Sequence, residues 1–140
     1  MGSLWGRRAP TTTHAETIYA EIDLGPGRSI PIDALADERA VMLVGGEASI
    51  DGTPLELYAL TVLKPGDPMT LSSDRGGKIM LMGGEAFTTH RYVYWNFVSS
   101  SRERIEQAKE DWRAGRFAAV PGDEAEFIPL PDKPKTVSYP

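Results

Sequence analysis

The chain has 140 residues, a formal net charge of −5, no cysteine and two histidines, His14 and His90. A chain of this length is expected to form one domain that needs no disulfides. The missing cysteines exclude disulfides, cysteine-based zinc sites and thiol catalysis, and two histidines exclude a three-histidine metal site within one chain. The negative charge argues against a nucleic-acid partner.

Membrane insertion is not expected either. No apolar run reaches the roughly 18 residues that a spanning helix needs. The first six residues lack the apolar core of a signal peptide. We therefore expect a cytoplasmic protein that does not bind a membrane.

The first strand candidate is the clearest. Apolar residues alternate with mostly polar ones over residues 16–24, and successive side chains of a strand point to opposite faces, so this pattern predicts a half-buried strand. Gly25-Pro26-Gly27 ends it. Ile30 and Ile32 alternate across Pro31, whose missing N–H limits this piece to an edge strand or a loop.

The middle of the chain contains further short strand candidates separated by turn signals. Two apolar runs share the pattern Met-Leu-x-Gly-Gly-Glu-Ala, at 42–48 and 80–86, which indicates either a duplicated hairpin or, as we favour, two buried strands that stop at Gly-Gly. Asp51-Gly52 is a strong hairpin signal. The other strand candidates are 48–50, 55–57, 60–63 and 69–71, with turns at 64–68 and 74–77. This spacing predicts an all-β antiparallel sandwich or barrel.

One helix is predicted near the end, over residues 101–114. Ser100 with Glu103 three residues later forms the pattern of a capping box, and Gly115 is the residue type expected just after a helix. Apolar residues recur on one face of the helix: Ile105, Ala108 and Trp112. The proline-rich chain that follows is expected to be extended.

The aromatic stretch 91–98 precedes this helix. It predicts a last strand, with Trp95 or Phe97 packed near Trp112. Stacking on nucleic-acid bases is disfavoured because few basic residues surround these rings.

Candidate catalytic groups are few. His14, Glu16 and His90 could form a mixed histidine and carboxylate metal site, but a solvated His14 and a hydrogen-bonded His90 are the more probable interpretation of two distant histidines. The acidic pairs beside turns are expected to be solvated, and the serine run 99–101 is expected to cap the helix. We therefore predict no catalytic residue and no bound cofactor.

The sequence from Tyr94 to Ser101, the segment 104–109 with Asp111-Trp112, and the tail 126–131 are together similar to the signature of the C-terminal half of the pirin family. The strands between Tyr19 and Glu85 fit the second cupin barrel of that family more loosely. The resemblance implies a single cupin (jelly-roll) antiparallel β-barrel with one C-terminal helix and an extended tail.

The resemblance also bears on metal chemistry. Pirins contain two facing cupin barrels, and their iron lies in the N-terminal barrel, held by three histidines and a glutamate. Where an active cupin places its HxH motif and glutamate, this chain has Ala36-Asp37-Glu38-Arg39-Ala40. No family ligand therefore carries over to this chain, and iron is implied only if a complete site forms with a partner. The family's quercetin-cleaving dioxygenase activity and its role as a transcription co-regulator belong to the metal-containing half.

The expected organisation is a lead-in or linker over 1–15, a cupin barrel over 16–98, a helix over 99–116 and an extended, proline-rich tail over 117–140 that packs on the barrel or on a partner. Our leading hypothesis is a metal-free, non-catalytic module that completes or regulates an assembly, as a homodimer or with a separate N-terminal cupin subunit. The alternative is a small metal-dependent cupin dioxygenase that uses His14, Glu16 and His90 or a site shared across a dimer.

A third hypothesis is a small apolar ligand inside the barrel. Its expected lining residues are Ile18, Met42, Met80 and Met82.

Overall fold

The structure is a computed structural model that describes residues 1–34, 36–123 and 125–132. It divides into two compact units, Met1–Ala86 and Phe87–Pro140, which we call the first and second unit. In chain order the elements are β1 (Ser3–Leu4), β2 (Arg7–Arg8), β3 (Thr17–Leu24), β4 (Arg28–Ile32), β5 (Glu38–Gly46), β6 (Ser49–Ile50), β7 (Thr53–Pro54), β8 (Leu60–Val62), β9 (Met69–Ser73), β10 (Gly77–Gly84), β11 (Tyr92–Tyr94), β12 (Phe97–Ser99) and α1 (Arg102–Arg113).

Two four-stranded antiparallel sheets form the first unit. Their strand orders are β3-β10-β5-β8 and β4-β9-β6-β7. The alternation over 16–24 is confirmed, because Ile18, Ile22 and Leu24 of β3 are buried whereas the side chains between them are more exposed. Strand β4, which contains Pro31, lies at a sheet edge as predicted.

The core of the first unit lies between the two sheets. Its most deeply buried side chains come from both sheets: Ile32, Val41, Leu71, Ile79 and Leu81. Because each sheet turns one apolar face to the other, burial of these aliphatic groups holds the unit together, at about 1.5–3 kcal/mol for each fully buried side chain. The prediction of an all-β, jelly-roll-like fold followed by a helix is confirmed.

The hairpin predicted at Asp51-Gly52 is also confirmed. Both residues have positive φ, 47° and 78°, as a type I′ turn requires, and they join β6 to β7. The Asp51 carboxylate accepts a hydrogen bond from the Thr70 N–H at 2.8 Å, which fixes the turn against β9.

Two predicted strands differ from the structure. Residues 55–57 form no strand, because only Leu57 bridges to Leu43, and Tyr58 with φ of 62° then turns the chain toward β8. The stretch 91–98 is a hairpin of two short strands, β11 and β12, rather than one last strand. Trp95, with φ of 55°, lies in its turn.

The predicted lead-in 1–15 contains a hairpin of β1 and β2. The Met1 amino group donates to the Tyr19 carbonyl at 2.6 Å, and the Met1 carbonyl accepts from the Tyr19 N–H at 3.2 Å. The hairpin is therefore attached to the edge strand β3.

The helix α1 matches its prediction within one residue at each end. Its cap is Ser101, however, and not Ser100. Ser101 has extended φ and ψ of −121° and 131°, so its hydroxyl accepts from the Arg104 N–H at 3.3 Å and donates to Glu103 at 2.6 Å. Gly115 follows the helix with φ of 66°, as predicted. In the described part of the chain, no helix has the length and apolar character needed to cross a membrane.

Candidate functional site

The residues of the predicted metal site lie on exposed segments. His14 and Glu16 precede β3 in the first unit, and His90 precedes β11 in the second, where its ring packs edge-on against Tyr92 at 4.6 Å. Within residues 1–34, 36–123 and 125–132, no three histidine, aspartate or glutamate side chains form a group that could hold a metal ion.

A buried arginine lies in the segment 36–40, where the resemblance stated from the sequence implies the cupin metal motif. Arg39 lies in β5, where side chains alternate between the core and the outer face, and it points toward the core with 3% of its surface exposed. It is the one charged side chain that is buried among the described residues.

Four backbone carbonyls hold the Arg39 guanidinium. Nη1 donates to the carbonyls of Ile32 and Asp33 at 3.3 and 2.9 Å, and Nη2 donates to those of Lys64 and Asp67 at 2.7 Å each. The first two carbonyls come from the end of β4, and the other two from the turn between β8 and β9. Arg39 therefore ties these two segments together with a charge that is permanent in proteins. Its Nε is buried without a partner.

Asp67, whose backbone carbonyl binds Arg39, uses its carboxylate for an ion pair with Lys64. The Asp67 side chain binds Lys64 at 2.8 Å, and the hydrogen bond from Lys64 is the main reason that the pKa of Asp67 lies below its usual value. The charge of Arg39 contributes a smaller part of that shift.

The side chains and carbonyls around Arg39 do not fit an iron ion. The carbonyls that face the site already accept hydrogen bonds from Arg39, and histidine side chains, the preferred ligands, do not occur in this segment. A divalent cation here would also meet the fixed positive charge of Arg39. Arg39 and the four carbonyls thus link the end of β4 to the turn between β8 and β9, and they do not form a metal-coordination site.

The outer face of the sheet β3-β10-β5-β8 is apolar at its centre. Cross-strand register places Tyr19, Met82, Ala40 and Val62 in one row across four strands, and Met80, Met42 and Leu60 in the next. We call these seven residues the outer sheet face. Tyr19, Leu60 and Val62 are 47%, 54% and 74% exposed. A sheet that covers a core on one side commonly turns polar residues outward on the other, so this apolar face is a candidate interaction surface.

Charged residues border the outer sheet face at one end. Lys78 of β10 contacts Glu21 of β3 at 2.7 Å and Asp23 at 4.0 Å. The hydrogen bond to Glu21 is the main cause that raises the pKa of Lys78. The apolar centre with a charged border resembles the arrangement of protein interfaces.

The residues predicted to line a ligand cavity lie on opposite sides of this sheet. Ile18 pairs with Gly83 and belongs to the core, whereas Met42, Met80 and Met82 lie on the outer sheet face. Neighbouring side chains of a strand point to opposite faces of the sheet. Met82 pairs with Tyr19 and lies with it on the outer face, whereas Ile18, the neighbour of Tyr19, points into the core. The outer sheet face was therefore not predicted from the sequence. The signal that could have found it was the position of each methionine relative to the buried neighbours Val41, Ile79 and Leu81.

Comparison with known proteins identifies the family that shares this fold. The family model described as Pirin C-terminal cupin domain matches residues 19–118. A Pirin-like protein of Caulobacter vibrioides is 37% identical over 131 residues, which cover 94% of this chain and 45% of that protein. A Pseudomonas aeruginosa protein with the name "Putative quercetin 2,3-dioxygenase PA1205" is 27% identical over 139 residues, 94% of this chain and 44% of that protein.

A solved structure shares the whole fold. A crystal structure of quercetin 2,3-dioxygenase from Acinetobacter baumannii superposes with a TM-score of 0.82 at 23% identity, and the match covers 98% of this chain and 47% of that one. The present chain thus spans about half the length of the relatives it matches. It corresponds to one of the two halves of such proteins.

Proposed function

Because the chain belongs to the pirin family through its C-terminal cupin domain, we propose that it is a metal-free, non-catalytic module that completes an assembly. The observation that carries the proposal is Arg39, whose guanidinium is buried and bound by four carbonyls. Arg39 lies in the segment 36–40, where the resemblance to the pirin family implies the metal motif of an active cupin. A cytoplasmic location stays a prediction.

The outer sheet face is the surface through which the module would act. We propose that a second cupin barrel covers it, of the metal-containing kind that the pirin family carries in its N-terminal half. Three features support this partner: the relatives are about twice as long as the chain, the face spans four strands, and its exposed members are apolar. The homodimer expected from the sequence is the competing arrangement.

A second candidate function is a metal-dependent dioxygenase of the quercetin-cleaving kind. The name of the Pseudomonas aeruginosa relative favours it. Such an enzyme would use His14, Glu16 and His90 or a site shared with a partner, and iron would be its cofactor. The exposed positions of these three residues and the lack of a three-ligand group in the described residues do not favour a site within this chain.

One experiment separates these functions and tests the surface. The chain is purified without chelator, alone and after co-expression with the N-terminal half of the Caulobacter vibrioides relative, and its iron content and sedimentation are measured. We expect substoichiometric iron in the chain alone and a 1:1 complex with the partner half. Stoichiometric iron that is lost in His90→Ala would contradict the proposal and establish the enzyme.

Variants then locate the interface. Leu60→Lys and Val62→Lys place charges on the outer sheet face at exposed positions, so the fold should tolerate them while the affinity for the partner half falls at least about tenfold. Val98→Lys is the matched control, because Val98 is 61% exposed in the second unit. A homodimer disrupted by the same two variants would show that a second copy, and not the partner half, covers the face.

A further inference from the structure

The tail of the chain is bound by two aromatic side chains of the second unit. Trp112 Nε1 of α1 donates to the Ile128 carbonyl at 2.8 Å, and the Tyr94 hydroxyl of β11 donates to the Pro131 carbonyl at 2.7 Å. The Phe127 ring stacks on Trp112, with centroids 6.3 Å apart. We call Tyr94 and Trp112 the aromatic clamp.

The segment that the clamp holds has a conformation set by its prolines. Pro129 and Pro131 fix φ near −65°, and Ile128 and Leu130 each precede a proline, which disfavours helical conformations. The prolines therefore favour an extended conformation over residues 128–131. The two carbonyls that the clamp binds belong to residues 128 and 131, three positions apart. A polyproline II helix has three residues per turn, so this spacing is one that an extended proline-containing segment offers on one side.

Contacts other than the tail hold both donors in place. The Trp112 ring packs edge-on against Trp95 at 5.0 Å. The Tyr94 ring lies under the Lys109 ammonium at 4.5 Å, and Lys109 in turn binds Glu106 at 2.7 Å. These contacts preorganise the clamp, and none of them comes from the segment 127–131 that occupies it.

The clamp contacts the backbone of the tail more than its side chains. Phe127 and Ile128 remain 63% and 56% exposed although they lie beside the clamp. The identified polar contacts are to carbonyls, which every peptide has, and the selective element is the spacing imposed by the prolines. Such a site accepts any segment with the same proline spacing.

We infer that the aromatic clamp is a binding site for extended peptides of the pattern aliphatic-Pro-aliphatic-Pro in a partner protein. The chain's own residues 127–131 occupy it as an internal ligand that such a peptide displaces. This inference concerns the second unit and is independent of the outer sheet face.

Displacement requires the internal ligand to be weak, and its contacts indicate that it is. Among the described residues, the contacts identified with it are two hydrogen bonds and one ring stack, and Phe127 and Ile128 stay more than half exposed. A tethered segment nevertheless competes at an effective concentration of the order of millimolar. A free peptide should therefore bind much better once the tail is loosened.

The test uses the full chain and a labelled peptide. The probe is fluorescein-labelled Glu-Phe-Ile-Pro-Leu-Pro-Asp, the sequence of residues 126–132, and its binding is followed by fluorescence anisotropy. The tail is loosened in the double variant Pro129→Ala/Pro131→Ala, which keeps both carbonyls but loses the conformational restriction. We expect this variant to bind the probe at least about tenfold more tightly than the unchanged chain.

Variants of the clamp show whether the peptide occupies it. In the loosened chain, Tyr94→Phe with Trp112→Phe keeps an aromatic ring at each position, smaller at 112, and removes both donors, and we expect at least about tenfold weaker binding. The circular dichroism of α1 checks that the fold is kept, and Val98→Ala is the control. A probe with alanine at both prolines should also bind more weakly.

Three results would overturn the inference. The first is unchanged probe affinity after removal of both donors, and the second is no binding to the loosened chain at millimolar probe. The third is a concentration-dependent dimer of the unchanged chain that Tyr94→Phe with Trp112→Phe abolishes, because a second copy's tail would then be the occupant.

Discussion

The two units of the chain are stabilised in different ways. Among the described residues of the first unit, thirteen buried aliphatic and alanine side chains from the two sheets and their connections form one core. In the described part of the second unit, Ile105 is the one buried hydrophobic residue, and half-exposed aromatic rings pack around Trp112 instead. The first unit thus resembles a conventional protein interior, whereas the second depends on specific surface contacts.

This difference indicates where each unit can bind. In the first unit, the apolar outer sheet face is the candidate binding surface. The second unit holds its own tail by hydrogen bonds and ring contacts, each contributing about 1 kcal/mol. Contacts of that size can be replaced by equivalent contacts from a partner. The contacts of a buried core cannot be replaced in this way. Three variants test this contrast, beginning with the largest expected effect.

The largest effect is expected in the interior of the first unit. Arg39→Ala removes the donors of four carbonyls at once and opens a cavity beside the core, so the free energy of unfolding should fall by at least about 3 kcal/mol. Urea unfolding followed by far-UV circular dichroism measures this. Arg39→Lys keeps the charge but lacks the planar fork, so its cost should be intermediate.

Arg28→Ala is the matched control for Arg39, because Arg28 is an exposed arginine in β4 of the same unit. Its effect should stay within about 0.5 kcal/mol. A cost below about 1 kcal/mol for Arg39→Ala would mean that water can replace the guanidinium. The contrast between a closed first unit and an open second unit would then fail.

A smaller effect is expected at the start of α1 in the second unit. Ser101→Ala removes the acceptor of the Arg104 N–H and should lower the free energy of unfolding by about 1 kcal/mol. Thermal unfolding followed by far-UV circular dichroism measures this. Ser100→Ala is the control, since Ser100 is exposed and does not cap the helix, and it should have little effect. Equal costs for both variants would contradict the assignment of the cap.

The regular elements could largely be predicted from the sequence. Alternation over β3, the Asp51-Gly52 turn and the apolar face of α1 are local patterns with a fixed period, and the structure follows them. The cap was misplaced by one residue because Ser100 and Ser101 are both serines. The extended backbone angles of Ser101 and the hydrogen bond that its hydroxyl accepts from the Arg104 N–H identify the cap.

The candidate surfaces could not be predicted in the same way, because they depend on register and on contacts between distant residues. Nothing local to Arg39 indicates that its partners are the carbonyls of residues 32, 33, 64 and 67. The clamp likewise joins Tyr94 to Pro131, 37 positions away. The sequence predicts an extended tail packed on the barrel or on a partner, but not the side chains that hold it.

The smallest effect concerns the acid sensitivity of the second unit. The Asp111 carboxylate accepts from Gln107 Nε2 at 2.9 Å and from Arg116 Nε at 2.6 Å, and these bonds, Gln107 first, lower its pKa below the ordinary value near 3.8. A carboxyl group with a lowered pKa in the folded state stabilises the fold above its unfolded pKa, and this contribution is lost as the pH falls through the folded pKa.

We therefore expect the contribution of Asp111 to the stability of α1 to stay constant from pH 7 to about 5 and to decrease below about pH 4. Asp111→Asn should lower stability at pH 7 and reduce the acid-dependent loss, measured by thermal unfolding at a series of pH values. Part of that loss should remain, because the hydrogen bond from Ser101 also lowers the pKa of Glu103. Glu110→Gln leaves the contacts of Asp111 in place and is the control. If Asp111→Asn keeps the full acid dependence, the carboxylate does not fasten the helix end, and the second unit depends on its aromatic contacts alone.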